Sequence, residues 1–235
     1  MSDFAFRKQQ LDNPPLWAND VLQAWDETAF EKKRNFIQSH YWTAQGSVNV
    51  FNVVGTIHDD YKNKSWLNLL QNGKRMHTNL PLLAENPGYY TQAGILRQPT
   101  MDFITTDGIH FYINNDGNHR TCLARFYFYN LSLTHIHNIE INHYRIDEPF
   151  YYVYTRLKTI IQELKLPINL QPEHTRMKRE DTGGWKESFF RTVLQWTENG
   201  RTETLDFEAA EAKWLMLNQH GGGLSRKIKR LIGKK

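Results

Sequence analysis

Cysteine is nearly missing from this chain. Cys122 is the only one in 235 residues, so no disulfide can close within the sequence and no cysteine cluster can hold a metal. Long apolar runs are missing as well. No stretch approaches the roughly 18 consecutive apolar residues of a membrane-spanning helix, and MSDFAFRKQQLDNPP places charged and polar residues where a secretory leader carries its apolar core. The expected setting is a reducing cytoplasm. Internal repeats are not found either, which sets solenoids and propellers aside.

What the chain does have is aromatic and apolar residues in quantity, 13% and 40% of the whole, enough at this length for one substantial core or one domain with an appendage. The formal charge is +4, unevenly spread. From Leu224 onward LSRKIKRLIGKK contains Arg226, Lys227, Lys229, Arg230, Lys234 and Lys235 and no acid. These six cations exceed the net charge of the whole chain, so the remainder is acidic on balance. Such a run suits nucleic acid, an anionic membrane surface or an acidic partner, or it serves only as a solvated end.

The stretch that organises the rest is YINNDGNHRTCLARFYFY, Tyr112 to Tyr129. An apolar run from Ile109 to Ile113 leads into Asp116 and Gly117, and apolar residues return from Cys122 to Tyr129 at helical spacing. The pattern predicts a strand, a tight turn and a helix start. At that start the first backbone N–H groups lack intrahelical partners and the helix dipole is positive, which favours an anion. Gly117 would give access to the backbone, Asn118 and Thr121 would bind through the first turn, His119 can donate or accept, and Arg120 can grip two oxygens. A phosphate site is one reading; an ordinary Asp-Gly turn with a solvated arginine is the other.

Taken in order, the sequence predicts an arm over Phe4 to Trp17, then a helix from Asn19 with Leu22, Trp25, Ala29, Phe36 and Ile37 on one face. A buried strand follows at Val48 to Ile57. His58, Asp59 and Asp60 come next and form either a polar turn or a ligand-facing cluster. Ser65 caps a short helix that Gly73 ends. Lys74 to Gln98 reads as a long loop in which Lys74, Arg75, His77, Tyr89, Tyr90 and Arg97 either contact nucleotides or anchor the loop. His135, His137 and His143 fall on one side of a period-two strand, a metal pair or simply a solvent border. A helix is expected over Tyr151 to Leu166, a charged linker over Glu173 to Gly184, and a hairpin turning at Asn199 and Gly200. A last helix from Asp206, with Ala209, Ala212 and Leu215 inward, stops at Gly221 to Gly223.

The quoted motif resembles the ParB/sulfiredoxin superfamily, in which a strand leads to a DGxHR or GxxR turn, an Ala-containing helix and another strand. Here the matching residues are Asp116, Gly117, His119 and Arg120, with Ala124 in the helix, Ile136 to Ile146 as the following strand and Pro99 to Thr105 as the preceding one. The resemblance covers about residues 45 to 146. It implies an α/β (α+β) mixed sheet with flanking helices; the residues beyond it read as a C-terminal hairpin-helix extension and basic tail. The corresponding segments are 1–44 (arm and helix), 45–172 (domain), 185–223 (extension) and 224–235 (tail). Sulfiredoxin chemistry is not expected, because Asn118 stands where that enzyme has cysteine. The single Arg in the motif and the lack of a following helix-turn-helix also set the chain apart from chromosome-partition members. The size and layout resemble the plasmid-borne oncogenic-suppressive and fertility-inhibition group.

That resemblance implies binding of a nucleoside triphosphate, ATP or CTP, with Mg²⁺, and action on nucleic acid, DNA rather than RNA. In a hydrolytic reading, an NTPase or DNase linked to plasmid transfer or maintenance, Arg120 stabilises developing charge and His119 is acid or base. Asp116 orients His119 or holds the metal, for which Asp59, Asp60 and Asp107 are further candidates. Arg226, Lys227, Lys229 and Arg230 would contact nucleic acid. The alternative is a non-catalytic fertility-inhibition or adaptor protein that binds conjugation machinery or DNA through the same fold.

Overall fold

The computed structural model describes residues 3–94 and 100–232, with side chains described over 5–94 and 100–219. Among these residues the chain forms eight α-helices and nine strands in a mixed sheet, so the α/β expectation holds at that level. The first segment is a helix, α1 (Asp3–Asp12), rather than an extended arm. A single 3-10 turn (Leu16–Asn19) then leads to β1 (Gln23–Ala24) and the short α2 (Glu27–Lys33), where one longer helix was expected. Gln23 and Ala24 pair in parallel with Gly55 and Thr56, and the Leu22 N–H donates to the Lys64 carbonyl. Tertiary backbone pairing overrides a helical period that was never strict.

Strand β2 (Ile37–Asn49) ends in a 3-10 turn (Val50–Asn52) in which the Asn49 side chain accepts from the Phe51 N–H. The strand expected over Val48 to Ile57 is thereby split, and β3 (Val53–Thr56) carries its second part. Helix α3 (Trp66–Asn72) follows the prediction closely: Ser65 Oγ accepts from the Asn68 N–H and Gly73 ends it. The expected loop from Lys74 is instead helical, with α4 (Met76–Glu85) and α5 (Gly88–Thr91). Pro81 lies inside α4. The buried side chains of Met76, Leu80 and Leu83 hold that helix despite the missing N–H. Arg97 and Pro99 lie outside the described residues.

Next come β4 (Asp102–Thr105), β5 (Phe111–Ile113), α6 (Asn118–Leu131) and β6 (His135–Ile146), in the expected order. Asn138 takes a left-handed φ of 53° and breaks the alternation of β6, so Ile136 and Ile139 are both buried. His143 is therefore out of phase with His135 and His137, against the reading that placed all three on one side. Helix α7 (Glu148–Glu163) starts at Asp147, whose carboxylate accepts from the Phe150 N–H.

The linker expected over Glu173 to Gly184 is a strand, β7 (Ile168–Thr182), turning at Gly183–Gly184 into β8 (Trp185–Glu198). Its side chains are mostly exposed, so no buried stripe marks it in the sequence. The next hairpin is as predicted. Asn199 and Gly200 both have positive φ, 50° and 76°, between β8 and β9 (Arg201–Leu205), as a two-residue hairpin loop requires. Helix α8 (Phe207–Ile232) continues through Gly221–Gly223, which cost helicity but do not by themselves end it. Its inward positions are Phe207, Ala209, Ala210, Trp214 and Leu217, so Ala209 lies as expected; Ala212 and Leu215 are exposed.

The strand order is β1-β3-β5-β4-β6-β2-β8-β7, with β9 on β8. β1, β3 and β5 run parallel, β4 is antiparallel to β5, and β4 is parallel to β6. Two compact units interleave along the chain. One comprises Met1–Glu27, His40–Tyr144 and Glu180–Glu187, and the other Thr28–Ser39, Arg145–Arg179 and Ser188–Lys235. The first buries Val53, Phe103, Ile113, Leu123, Phe126 and Ile139; the second buries Phe36, Leu157, Leu194, Leu205 and Ala210. The organising motif lies in the first unit.

Candidate functional site

The turn between β5 and α6 is fixed from below by one buried acid. Asp102, 6% exposed on β4, accepts from the side chains of Asn114 (2.7 Å), Asn115 (3.0 Å) and Asn142 (3.3 Å). Burial, with Glu140 nearby, raises its pKa above the usual carboxylate range, while these donors work the other way. Gly117 completes the turn at φ 118°, a conformation that L side chains avoid. A Cβ there would also come within 2.9 Å of Met101 Cγ. The helix then begins, with the Thr121 N–H donating to the Gly117 carbonyl at 2.7 Å. The preceding amides of its first turn precede any intrahelical acceptor.

His119 and Arg120 leave this turn in different directions. His119 Nε2 accepts from the Arg75 backbone N–H (3.1 Å) and stands 3.1 Å from the Tyr61 hydroxyl. An N–H donor on Nε2 places the ring proton of the neutral imidazole on Nδ1, so the Tyr61 hydroxyl also donates. Burial, reinforced by the charge of Arg75, pulls the His119 pKa down to about 4. The ring is neutral near pH 7. Arg120 is held in a fork: Nη1 donates to the Tyr89 hydroxyl (2.8 Å), and Nη2 to the Thr100 carbonyl (3.0 Å) and Asp116 Oδ2 (2.8 Å). Its side chain is only 11% exposed. Burial works against its charge, but Tyr89 and Asp116 outweigh it and the pKa is raised.

Two clefts meet at this helix start. One, of about 370 Å³, runs between α4, α5 and the turn, and is lined by Arg75, Asn79, Leu82, Asn86, Tyr89 and Arg120 among others. The second, of about 460 Å³, is lined by His58, Asp60, Lys74, Asn115 and Asn118. Arg75, Asp116 and His119 belong to both. No protein-family model, curated protein or solved structure matches the chain. What the site can do therefore rests on its geometry.

The structure brings Asp116, Gly117, His119 and Arg120 together on the cleft walls. Asn118 reaches the second cleft, yet it is 5% exposed and its Oδ1 accepts from Thr56 Oγ1 at 2.8 Å, tying β3 to the helix. Thr121 turns inward, 1% exposed, with its hydroxyl 3.7 Å from Met101 Sδ. Cys122 is fully buried and burial raises its pKa. The backbone of Arg226, Lys227, Lys229 and Arg230 lies in α8; their side chains are outside the described ones.

Among the acids proposed for a metal, Asp60 lines the second cleft but pairs with Lys74, and Asp59 pairs with Lys62 at 2.6 Å. Asp107 instead builds its own turn. Partial burial pushes its pKa up, but hydrogen bonds from His110, Ile109 and Thr105 prevail and hold it at about 2. Among the described residues no three His, Cys, Asp or Glu side chains gather as a metal centre. Asp116 and Asp60 are each paired with a cation, Arg120 and Lys74.

Several site residues escaped the sequence reading. Asn79, Leu82 and Asn86 were hidden in the supposed loop, and Tyr61 carried no motif. Asp102 did leave a signal: an acid inside PTMDFIT, where a buried strand should be apolar, marks a side chain that must find partners.

Proposed function

We propose that the chain binds the phosphates of a nucleotide, or of a nucleic-acid strand, at the first turn of α6 on a ParB/sulfiredoxin-like frame. The observation that carries this reading is the meeting of two clefts at the first turn of α6, with Arg75, Arg120 and Lys74 on their walls. An entering phosphate competes with Asp116 for Arg120 and gains the helix dipole as well. Leu82, Tyr89 and Tyr90 give the first cleft an apolar side suited to a sugar or base.

Binding is better supported than hydrolysis. A general base needs a pKa near the working pH and an available lone pair. His119 has a pKa of about 4, and its Nε2 already accepts from Arg75 and Tyr61. It positions the Arg75 backbone and Tyr61 at the cleft. This favours the adaptor reading, in which nucleotide occupancy, not turnover, is the event a partner senses. Mg²⁺ then enters only with a triphosphate.

The test compares the wild-type chain with Arg120→Ala and Arg75→Ala. Binding of ATP, CTP and GTP is measured by calorimetry with and without Mg²⁺, and hydrolysis and plasmid nicking are followed in parallel. The expected result is nucleotide binding weakened at least about tenfold in each folded variant, without turnover. Turnover or nicking lost in folded Arg120→Ala would restore the enzyme reading. Binding unaffected by both substitutions would remove the site.

A further inference from the structure

Independently of the cleft, the stretch from Leu224 superposes two patterns. Its cations have no acid among them. Its apolar residues, Leu224, Ile228, Leu231 and Ile232, recur at i, i+4, i+7 and i+8, the spacing that forms one stripe on an α-helix. The backbone is helical through Ile232. No helix among the described residues is long and apolar enough to cross a membrane.

Each possible occupant uses these patterns differently. Nucleic acid uses the cations but has no need of an apolar stripe at helical spacing. A second copy of the stretch would bring like charges against like. An anionic lipid surface uses both: headgroups attract Arg226, Lys227, Lys229 and Arg230, and the stripe enters the acyl boundary while the long cationic stems reach back to the headgroups. We propose that Leu224 to Ile232 is an amphipathic anchor for an anionic lipid surface. The same run read as a nucleic-acid contact from its charge alone becomes, once its apolar period is counted, a membrane-surface helix.

The experiment co-sediments the full chain with vesicles of phosphatidylcholine alone and of phosphatidylcholine containing one third phosphatidylglycerol, and measures duplex DNA binding beside it. One variant, Leu224→Gln/Ile228→Gln/Leu231→Gln, keeps every cation; another replaces the four named cations by Gln. Circular dichroism and denaturant midpoints check that both fold. Partition of wild type into anionic over neutral vesicles by at least about tenfold, lost to a similar degree in both variants, is the expected result. The proposal is overturned if wild type ignores anionic vesicles or if the apolar variant partitions like wild type. DNA binding that outcompetes the vesicles and survives loss of the apolar stripe would also overturn it and restore the nucleic-acid contact.

Discussion

Arg120 and Arg125 stand on the same helix, little more than one turn apart, and are held in opposite ways. Arg120, at the open end of α6, is gripped by a carboxylate, a phenol and one carbonyl. Arg125, in the middle, is 5% exposed. It donates to the Val50 and Val53 carbonyls at 3.2 and 2.9 Å, and its guanidinium lies 4.7 Å from the ring centroids of both Trp17 and Trp66. Burial lowers its pKa to about 10, so it remains charged near neutral pH. On the proposed reading a phosphate replaces the half-exposed Asp116 beside Arg120, whereas Arg125 is enclosed by two backbone carbonyls and two indoles. Arginine at a cleft wall with an exchangeable partner is placed to bind an anion, the role proposed for Arg120; arginine among carbonyls and rings serves the fold.

The contrast is most easily broken at Arg125. Arg125→Ala leaves two carbonyls without their donor and a void between the indoles, and should cost about 3–5 kcal/mol in denaturant unfolding. A loss under about 1 kcal/mol would show that the cage holds nothing together. Gly117→Ala comes next. Positive φ and the close Met101 side chain predict about 2–3 kcal/mol, together with weakened nucleotide binding because the helix start must shift. Arg120→Ala should cost only about 1 kcal/mol of stability, since its partners can turn to water, while its effect on binding is the larger one. A stability loss as great as that of Arg125→Ala would make Arg120 structural too.

The smallest effect sharpens the comparison by pH. An ordinary histidine titrates near 6.5 and His119 near 4, so between these values the unfolded chain takes up a proton that the native state refuses. Stability linked to His119 is present above about pH 6.5 and is lost as pH falls towards about 4. His119→Gln should flatten that part of the pH–stability curve. A ring signal moving near pH 6.5 in an NMR titration of wild type would contradict the buried, doubly bonded imidazole.

Where local chemistry dictated structure, the sequence was legible. Asp116-Gly117, Ser65 with Gly73, and Asn199-Gly200 each encode a turn or cap through their own φ preferences and side-chain oxygens, and each stands where expected. Where pairing partners decided, it was not. β1 exists because Gly55 and Thr56 offer it hydrogen bonds, information absent from residues 23 and 24 themselves. α4 survives its proline through burial of Met76, Leu80 and Leu83, and β7 is a ribbon whose exposed faces give no hydrophobic alternation. The candidate site divides the same way. Its motif was readable and Asp102 left a signal as an acid in an apolar strand, but its walls on α4 and α5 and the asparagine partners of Asp102 came only with the fold.

The Arg125 cage also bears on the order in which the molecule assembles. Its two carbonyl partners lie 75 and 72 positions away in the chain, so the large entropy of loop closure must be met before any of its contacts form. A feature completed late is largely absent from the folding transition state, and its loss is felt mainly in how fast the native state opens. An Arg125 variant is therefore expected to unfold much faster while refolding at nearly the native rate, measured by the two arms of its chevron; refolding slowed as much as unfolding is accelerated would place the cage in the transition state.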